Sequence, residues 1–313
     1  PAHFRRGATV APPGGAVLPH LARGVKRAIL GLILVGVVAA GCSADGSTDG
    51  SAGSTTTAPP TVSVGDDRPA RLVLPPQWSG TGAQLPLVVV LHGYGTTGRI
   101  QDIYLGISAR GGEFGFMTLI PDGTTDQFGN QFWNVTDAAT TVDDTAYLSE
   151  TIDEAISDYN GDPDAVYLVG HSNGGFMANR LACRRPDLIA GIAAIAGGLF
   201  GGGNECTAGP TVLMIQGTSD ATVPYDGGTF LGDRILGAEA TAEQWVGVNG
   251  CTGADEIEGP FDYDLLVRGD ETTVRAWDDC AAGPVELWTM EGSGHIPAFR
   301  PGFRTALLDR LLG

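Results

Sequence analysis

Short apolar runs alternate with segments of helical periodicity through most of the chain. The runs are four to six residues long and rich in valine, leucine and isoleucine, which is typical of strands buried on both faces. The predicted strands are Arg71–Leu74, Leu87–Leu91, Phe116–Ile120, Ala165–Val169, Gly191–Ala196, Thr211–Ile215 and Val285–Thr289. The predicted helices include Val142–Tyr159, Ala238–Val248 and Pro301–Leu312. This alternation predicts an α/β fold, with a mostly parallel central sheet and helices on both faces.

One predicted strand is followed by a motif that is typical of a nucleophilic serine. Residues Gly170-His171-Ser172-Asn173-Gly174 fit G-x-S-x-G directly after the strand Ala165–Val169, and apolar residues then follow at helical spacing up to Pro186. A sharp turn between strand and helix exposes the serine above the sheet edge, and the flanking glycines leave room for that turn. We therefore predict that Ser172 is a nucleophile. A glycine-rich turn in an ordinary strand–helix unit is the alternative.

A serine hydroxyl needs a base that removes its proton, and histidine is the usual one. The chain has five histidines, two of which precede residue 23. His171 adjoins Ser172 and would point away from its hydroxyl in such a turn, while His92 directly follows a predicted strand. His295 lies on a glycine-flanked loop between the last strand and the last helix. Elimination therefore favours His295 as the base.

The acid that orients this base should follow a strand between the serine and the histidine. Asp220 comes just after the strand Thr211–Ile215. The order Ser172, Asp220, His295 is that of the α/β-hydrolase enzymes. Asp226 lies further along the same loop and is the reserve candidate.

Two backbone N–H groups near the serine should stabilise the negative oxygen of a tetrahedral intermediate. Asn173 directly follows the nucleophile and supplies one of them. Gly93 and Gly95 let the backbone after the strand Leu87–Leu91 approach a substrate closely. We expect the second donor to be the N–H of Tyr94.

The first 65 residues do not continue the strand–helix alternation. Residues 1–22 are rich in proline, glycine and alanine, and we predict a leader that is not part of the mature protein. Residues 23–41 place basic side chains before the uncharged run Ala28–Ala40. That run is short for a permanent membrane span and typical of a signal peptide.

Cys42 follows the small residues that close the apolar run and resembles the cysteine of a bacterial lipobox. We predict that Cys42 is lipidated and anchors an exported protein to the cell membrane. An ordinary signal peptide with an incidental cysteine is the alternative. Residues 42–65 are mostly Ser, Thr, Gly, Asp, Ala and Pro and predict a flexible tether, which leaves residues 66–313 as the catalytic domain.

The predicted catalytic domain is strongly acidic. Residues 66–313 carry 13 basic and 34 acidic side chains, a net charge of −21. This charge excludes nucleic acid and anionic membrane surfaces as partners and favours neutral or cationic ones, although solubility alone would also account for it. The cysteines form no C-x-x-C pair and have no histidine at ligand spacing, so we expect no metal and no cofactor.

Seven motifs together resemble those of one esterase family. They are Leu91-His-Gly-Tyr-Gly95, Pro121-Asp-Gly123, Trp133-Asn134, Val142-Asp-Asp144, Gly170-His-Ser-Asn-Gly-Gly175, Gly217-Thr-Ser-Asp-Ala-Thr-Val-Pro-Tyr225 and Gly292-Ser-Gly-His295. The family holds polyhydroxybutyrate depolymerases and feruloyl or acetylxylan esterases, and the resemblance covers about residues 68–313. It implies an α/β-hydrolase fold and a secreted carboxylesterase with Ser172, Asp220 and His295 as its triad. Such an enzyme would hydrolyse neutral esters through an acyl-enzyme intermediate.

The resemblance leaves the substrate open. Feruloyl or acetyl esters of plant polysaccharide are the first expectation, and depolymerisation of polyhydroxybutyrate or another polyhydroxyalkanoate is the alternative. A peptidase is a more distant one, because G-x-S-x-G-G also occurs in prolyl-oligopeptidase-like hydrolases. A catalytically disabled, surface-binding lipoprotein is a rival from another class, against which the intact serine, aspartate and histidine argue.

Four cysteines remain once Cys42 is assigned to the lipid anchor. An exported chain meets an oxidising compartment, which favours two disulfides, and four cysteines allow three pairings. The predicted topology favours Cys183–Cys206 and Cys251–Cys280, and the family resemblance points the same way. The second bridge would hold an irregular segment, Thr252–Asp279, beside the loop of His295. Buried free thiols are the alternative.

Overall fold

A computed structural model describes residues 60–136, 140–201, 206–207, 209–230 and 232–313. The predicted leader, the signal peptide and Cys42 lie outside these residues. Within the described ranges, no helix is long and apolar enough to cross a membrane.

Ten strands form one central sheet, in the order β1-β2-β4-β3-β7-β8-β9-β14-β13-β12. Two further pairs, β5-β6 and β10-β11, form separate two-stranded sheets. In chain order the fourteen strands of the described residues are β1 (Thr61–Val64), β2 (Ala70–Val73), β3 (Leu85–Leu91), β4 (Met117–Ile120), β5 (Thr124–Thr125), β6 (Gln131–Phe132), β7 (Gly161–His171), β8 (Gly191–Ile195), β9 (Thr211–Gly217), β10 (Gly228–Phe230), β11 (Asp233–Ile235), β12 (Glu256–Phe261), β13 (Thr272–Trp277) and β14 (Val285–Met290). The middle strands, from β4 to β14, are parallel, and two antiparallel strands flank them at each side. This is the mostly parallel sheet that the sequence predicts.

Helices cover both faces of this sheet. They are α1 (Gly98–Leu105), α2 (Gly111–Phe114), α3 (Asp144–Tyr159), α4 (Asn173–Arg184), α5 (Ala238–Asn249) and α6 (Pro301–Leu312). Successive side chains of β3 enter two separate apolar clusters, because neighbouring residues of a strand point to opposite faces. Leu87, Val89 and Leu91 pack in the cluster that α3, α4 and α5 complete. Val88 and Val90 pack in the cluster with α1 and α6.

The helix predicted over Val142–Tyr159 begins two residues later, at Asp144. The side chain of Asp143 accepts a hydrogen bond from the N–H of Ala146 at 3.0 Å and caps the first turn. Asn160 ends the helix in the left-handed conformation, with φ 60°. Such a cap is set by side-chain hydrogen bonding, which hydrophobic periodicity does not reveal.

The segment Thr252–Asp279 is not irregular, contrary to the expectation from sequence. It contains β12 and β13, which extend the sheet: β13 pairs antiparallel with β14, and β12 pairs antiparallel with β13. Most of β12 is exposed and it contains Gly259-Pro260, so no apolar run marks it. Thr61–Val64, inside the stretch predicted as tether, likewise forms β1 and pairs with β2, so the folded body starts before residue 66.

Both predicted disulfides are present. Cys183, near the end of α4, is bonded to Cys206 in the loop after β8. Cys251, just after α5, is bonded to Cys280 before β14. The second bridge therefore closes the chain that carries β12 and β13.

We expect the double variant Cys251→Ser, Cys280→Ser to lose about 3–4 kcal/mol of unfolding free energy. The bonded residues are 29 positions apart, and removing the link frees the unfolded chain. Urea unfolding of the oxidised wild type and of the variant measures the difference. Non-reducing peptide mapping is the control, and a peptide joining Cys183 to Cys251 would contradict the pairing.

Candidate active site

Ser172 lies at the turn between β7 and α4, in a backbone conformation with φ 55° and ψ −119°. The turn is too tight for side chains at the flanking glycines. A Cβ on Gly170 would lie 2.1 Å from the carbonyl oxygen of Gly174, and one on Gly174 would lie 2.2 Å from that of Leu91. The strand, turn and helix thus have the geometry that the G-x-S-x-G motif predicts.

Three predicted residues meet at the carboxyl ends of neighbouring parallel strands. His295 follows β14, and its Nε2 lies 2.9 Å from Ser172 Oγ. Asp220 follows β9, and its Oδ2 lies 2.7 Å from Nδ1 of the same imidazole. The carboxylate paired with His295 is therefore Asp220 and not the reserve candidate Asp226.

The carboxylate of Asp220 is buried and well supplied with hydrogen-bond donors. Oδ1 accepts the N–H groups of Thr222 at 2.8 Å and Val223 at 2.9 Å, and Oδ2 also accepts Gln216 Nε2–H at 3.0 Å. Burial alone would raise the pKa of Asp220. The hydrogen bonds from His295 and from the two backbone groups outweigh burial and hold the pKa below its ordinary value. Asp220 is thus an anion at neutral pH.

The loop after β3, residues 92–95, runs directly beside the serine; we call it the oxyanion loop. A Cβ on Gly93 would lie 3.5 Å from Ser172 Cβ, so glycine allows this close approach. Among the described residues, the backbone N–H groups of Tyr94 and Asn173 donate to no acceptor. Both predicted oxyanion donors therefore remain available for a substrate oxygen.

His92 orients the oxyanion loop, a role that sequence reasoning missed. Its Nε2 accepts the N–H of Gly123 at 2.8 Å, so the proton is on Nδ1, which donates to the carbonyl of Gly93 at 2.8 Å. The Gly93 carbonyl and the Tyr94 N–H belong to one peptide group, so this bond sets the direction of the donor. Burial lowers the pKa of His92 and keeps it neutral.

Trp133 links the two predicted oxyanion donors. Its indole N–H donates to the carbonyl of His92 at 3.0 Å. Its backbone N–H donates to Asn173 Oδ1 at 2.6 Å, and Asn173 Nδ2–H donates back to the Trp133 carbonyl at 3.1 Å. The side chain of Asn173 therefore fixes one side of the site while its backbone N–H remains free.

His171 contacts the loop of His295, and within the described residues it is His295, not His171, whose ring is hydrogen-bonded to the hydroxyl of Ser172. One ring nitrogen of His171, Nε2, lies 2.8 Å from the backbone carbonyl of His295, which can only accept a hydrogen bond. Burial lowers the pKa of His171 from its ordinary 6.5 to about 4. A neutral His171 thus holds the loop that carries His295.

Exposed apolar side chains lie on the oxyanion loop, on the turn between β5 and β6, and on the loop of His295. Tyr94 is 53% exposed, and its hydroxyl donates to Asp126 at 2.5 Å in the turn between β5 and β6. Phe128 in that turn is 79% exposed, and Ile296, directly after His295, is 63% exposed. We call Tyr94, Phe128 and Ile296 the apolar rim. Across the described residues, no group of three or more His, Cys, Asp or Glu side chains is arranged to hold a metal.

We expect acidification from pH 7 to pH 5 to destabilise the wild type more than His171→Gln. The unfolded histidine gains a proton below about pH 6.5, whereas the native one stays neutral down to about pH 4. Between pH 7 and pH 5 the unfolded state therefore binds more protons than the native state. The free energy of unfolding then decreases as the pH is lowered, by about 2 kcal/mol from this residue. Glutamine does not titrate, and its amide N–H can still donate to the His295 carbonyl. Urea unfolding at both pH values measures the difference, and equal losses would contradict a neutral native His171.

The family described as esterase PHB depolymerase matches residues 70–228. Feruloyl esterase B of Piromyces equi is 31% identical over 192 residues, which are 58% of this chain and 34% of that protein. The putative esterase NocK of Nocardia uniformis subsp. tsuyamanensis is 33% identical over 262 residues, 78% of this chain and 74% of that protein. The poly(3-hydroxyalkanoate) depolymerase C of Paucimonas lemoignei is 30% identical over 260 residues, 72% of this chain and 58% of that protein.

The chain thus spans about a third of the feruloyl esterase. Among solved structures, an acetyl xylan esterase from Aspergillus awamori superposes with a TM-score of 0.60 at 17% identity, over 80% of this chain and 98% of that one. This likeness confirms the predicted α/β-hydrolase fold. On the family match and the similarity to NocK, the chain belongs to the esterase PHB depolymerase family, a family of carboxylesterase-type hydrolases.

Proposed function

We propose that the protein is an extracytoplasmic serine carboxylesterase that uses Ser172, His295 and Asp220 as its triad. The observation that carries this proposal is the hydrogen-bonded series from Ser172 Oγ through the His295 imidazole to Asp220, at 2.9 and 2.7 Å. These distances are within reach of direct proton transfer between the hydroxyl and the imidazole. The family membership supports the same reaction class.

In the proposed reaction, His295 Nε2 removes the proton of Ser172 while Oγ attacks the ester carbonyl. The N–H groups of Tyr94 and Asn173 stabilise the oxyanion that forms, and Asp220 stabilises the imidazolium. Collapse of the intermediate breaks the C–O bond, and the alcohol leaves with the proton from His295. Water then attacks the acyl-enzyme by the same route, which releases the carboxylic acid and restores the serine.

The surroundings of the site favour neutral, weakly polar esters. The apolar rim offers contact to an aromatic or aliphatic group, and the net charge of −21 on residues 66–313 repels anionic substrates. Feruloyl or acetyl esters of plant polysaccharide are the first candidates, because two of the similar proteins carry those activities in their names. A polyhydroxyalkanoate is the second candidate, on the similarity to the Paucimonas depolymerase.

A screen of aryl, acetyl-sugar and hydroxybutyrate esters separates these substrates. Labelling with a fluorophosphonate separates an esterase from a disabled binding protein on the same scaffold, because only an activated serine reacts. An unlabelled wild-type protein would favour the binding protein.

We expect Ser172→Ala to hydrolyse p-nitrophenyl acetate at least about 10⁴-fold more slowly in kcat, with an unchanged fold. The reason is that no other hydroxyl in the described residues contacts His295 Nε2. Ser149→Ala is a matched control, because Ser149 is also buried but lies in α3 and donates only to Thr145 O. Turnover near that of the control would remove Ser172 from the mechanism.

The partners of the serine can be tested in the same assay. His295→Ala should abolish turnover, because the serine then has no base that accepts its proton. Asp220→Asn should retain a weak residue of activity, about 10⁴-fold below wild type. Asp226→Asn is the matched control and should stay active. The reverse result for the two aspartates would overturn the choice of acid.

Export is the remaining part of the proposal. Two disulfides in the folded body are typical of an oxidising compartment. We also propose that Cys42 is lipidated, on its place after the predicted signal peptide.

We expect the wild type to enter the detergent phase in phase partitioning and Cys42→Ala to stay in the aqueous phase. The physical reason is that acyl chains on Cys42 add apolar surface that the tether and the acidic body lack. Equal partitioning of both proteins into water would indicate a secreted enzyme without an anchor.

A further inference from the structure

A buried carboxylate outside the triad lies beside the loop that carries His295. Asp264 belongs to the segment between β12 and β13 and is 1% exposed. Its segment pairs with the end of the His295 loop through an antiparallel bridge between Asp264 and Phe299. The N–H of Leu265 donates to the carbonyl of Ala298 at 3.0 Å. A strand-like contact thus brings Asp264 against the loop.

The carboxylate of Asp264 bonds to both sides of His295. Oδ2 accepts the hydroxyl of Ser293 at 2.8 Å, two residues before the histidine. Oδ1 accepts the N–H of Ala298 at 2.9 Å, three residues after it. Oδ1 also accepts the N–H of Leu266 at 3.0 Å, which rigidifies the turn that carries the carboxylate. One side chain therefore joins the two ends of the loop 293–298.

The donors to this carboxylate are neutral. In the described part of the chain, Asp264 forms no ion pair with an arginine, lysine or histidine. A buried carboxylate without a counter-ion is stabilised by its hydrogen bonds. The position of the carboxylate is therefore coupled to the positions of its donors. Loss of the side chain would leave the buried hydroxyl of Ser293 without its acceptor.

Burial holds only part of the rest of the loop, since Pro297 is buried but its neighbours are not. Gly294 has open space on the side where a Cβ would be, and Ile296 is 63% exposed. Two polar contacts hold its middle: His171 contacts the carbonyl of His295, and the hydroxyl of Tyr104 donates to the carbonyl of Pro297 at 2.7 Å. At the start of the loop, the N–H of Ser219 also donates to the carbonyl of Ser293 at 3.0 Å. Asp264 is the side chain that holds both ends.

We propose that Asp264 is a positioning residue for catalysis, which acts through Ser293 and Ala298 to place the His295 imidazole against Ser172. This proposal rests on the proposed function, in which His295 is the base. A shift of about 1 Å in a reacting group can cost about 10²-fold in rate. Because Asp264 does not touch the substrate, its loss should lower kcat and leave KM nearly unchanged.

The test compares Asp264→Ala, Asp264→Asn and Ser293→Ala, with Asn249→Ala as control. Asn249 is also buried. Its side-chain amide donates to the backbone carbonyls of Pro210 and Gly283, away from the catalytic loops. Active-site titration with a fluorophosphonate, p-nitrophenyl acetate kinetics and the thermal midpoint are measured for each variant. The kinetics are expressed per titrated site, so partial unfolding does not enter kcat.

We expect kcat to fall about 10²-fold in Asp264→Ala, with a smaller fall in Ser293→Ala and KM nearly constant in both. Asp264→Asn should recover most of the rate, because its amide oxygen accepts the same N–H groups and its N–H can donate to Ser293 Oγ. Asn249→Ala should lower the thermal midpoint and keep the wild-type kcat.

Wild-type kcat per site in Asp264→Ala would overturn the proposal. If Asp264→Ala does not fold, Ser293→Ala decides, and a wild-type kcat in that variant overturns the proposal equally. His295→Ala tests the proposed function separately: activity there would remove the triad itself. An inactive His295→Ala beside a fully active Asp264→Ala would remove only the positioning role.

Discussion

Backbone crowding at the turn around Ser172 is the constraint on which the rest of the site depends. The turn packs against two neighbouring strands so closely that a Cβ on Gly174 would lie 2.2 Å from Leu91 O, and one on Gly197 would lie 2.6 Å from Ser172 O. Ser172 itself has a positive φ, which is costly for a residue with a side chain. The bond from its N–H to Ile195 O at 2.8 Å helps to hold that conformation. The serine is therefore placed mainly by main-chain contacts.

The same crowding brings the ends of other strands within reach of the serine. Because β3 lies against the turn, the oxyanion loop that follows it passes close to Ser172. His92 and Trp133 then join this loop to Asn173 by hydrogen bonds between buried groups. Both proposed oxyanion donors thus belong to one connected network. A preorganised pair of donors stabilises developing charge without reorganisation during the reaction.

Sequence patterns predicted the features that are local in the chain. The strand, turn and helix around Ser172 are marked by a contiguous motif. Elimination among the histidines singled out His295, and its place just after a predicted strand favoured Asp220 over Asp226. The hydrogen bonds of His92 and Asp264 were not predicted, because each side chain contacts residues that are distant in the sequence. Asp264 and Ser293 are 29 positions apart, and no sequence motif near either residue indicates that the two are in contact. The strand β12 was missed for another reason: it is an exposed edge strand without an apolar run.

Two buried aspartates act on different parts of the same histidine. Asp220 bonds to the ring and fixes its tautomer, whereas Asp264 bonds to the flanking residues, through the hydroxyl of Ser293 and the N–H of Ala298. The ring bond alone leaves the loop free to move with the imidazole, since torsions of the side chain and the backbone can compensate each other. The bonds from Asp264 alone leave the ring free to rotate about its side-chain torsions. In the proposed reaction, the two restraints together hold the imidazole 2.9 Å from Ser172 Oγ, so that a loop with Gly292 and Gly294 just before His295 can carry the proposed base.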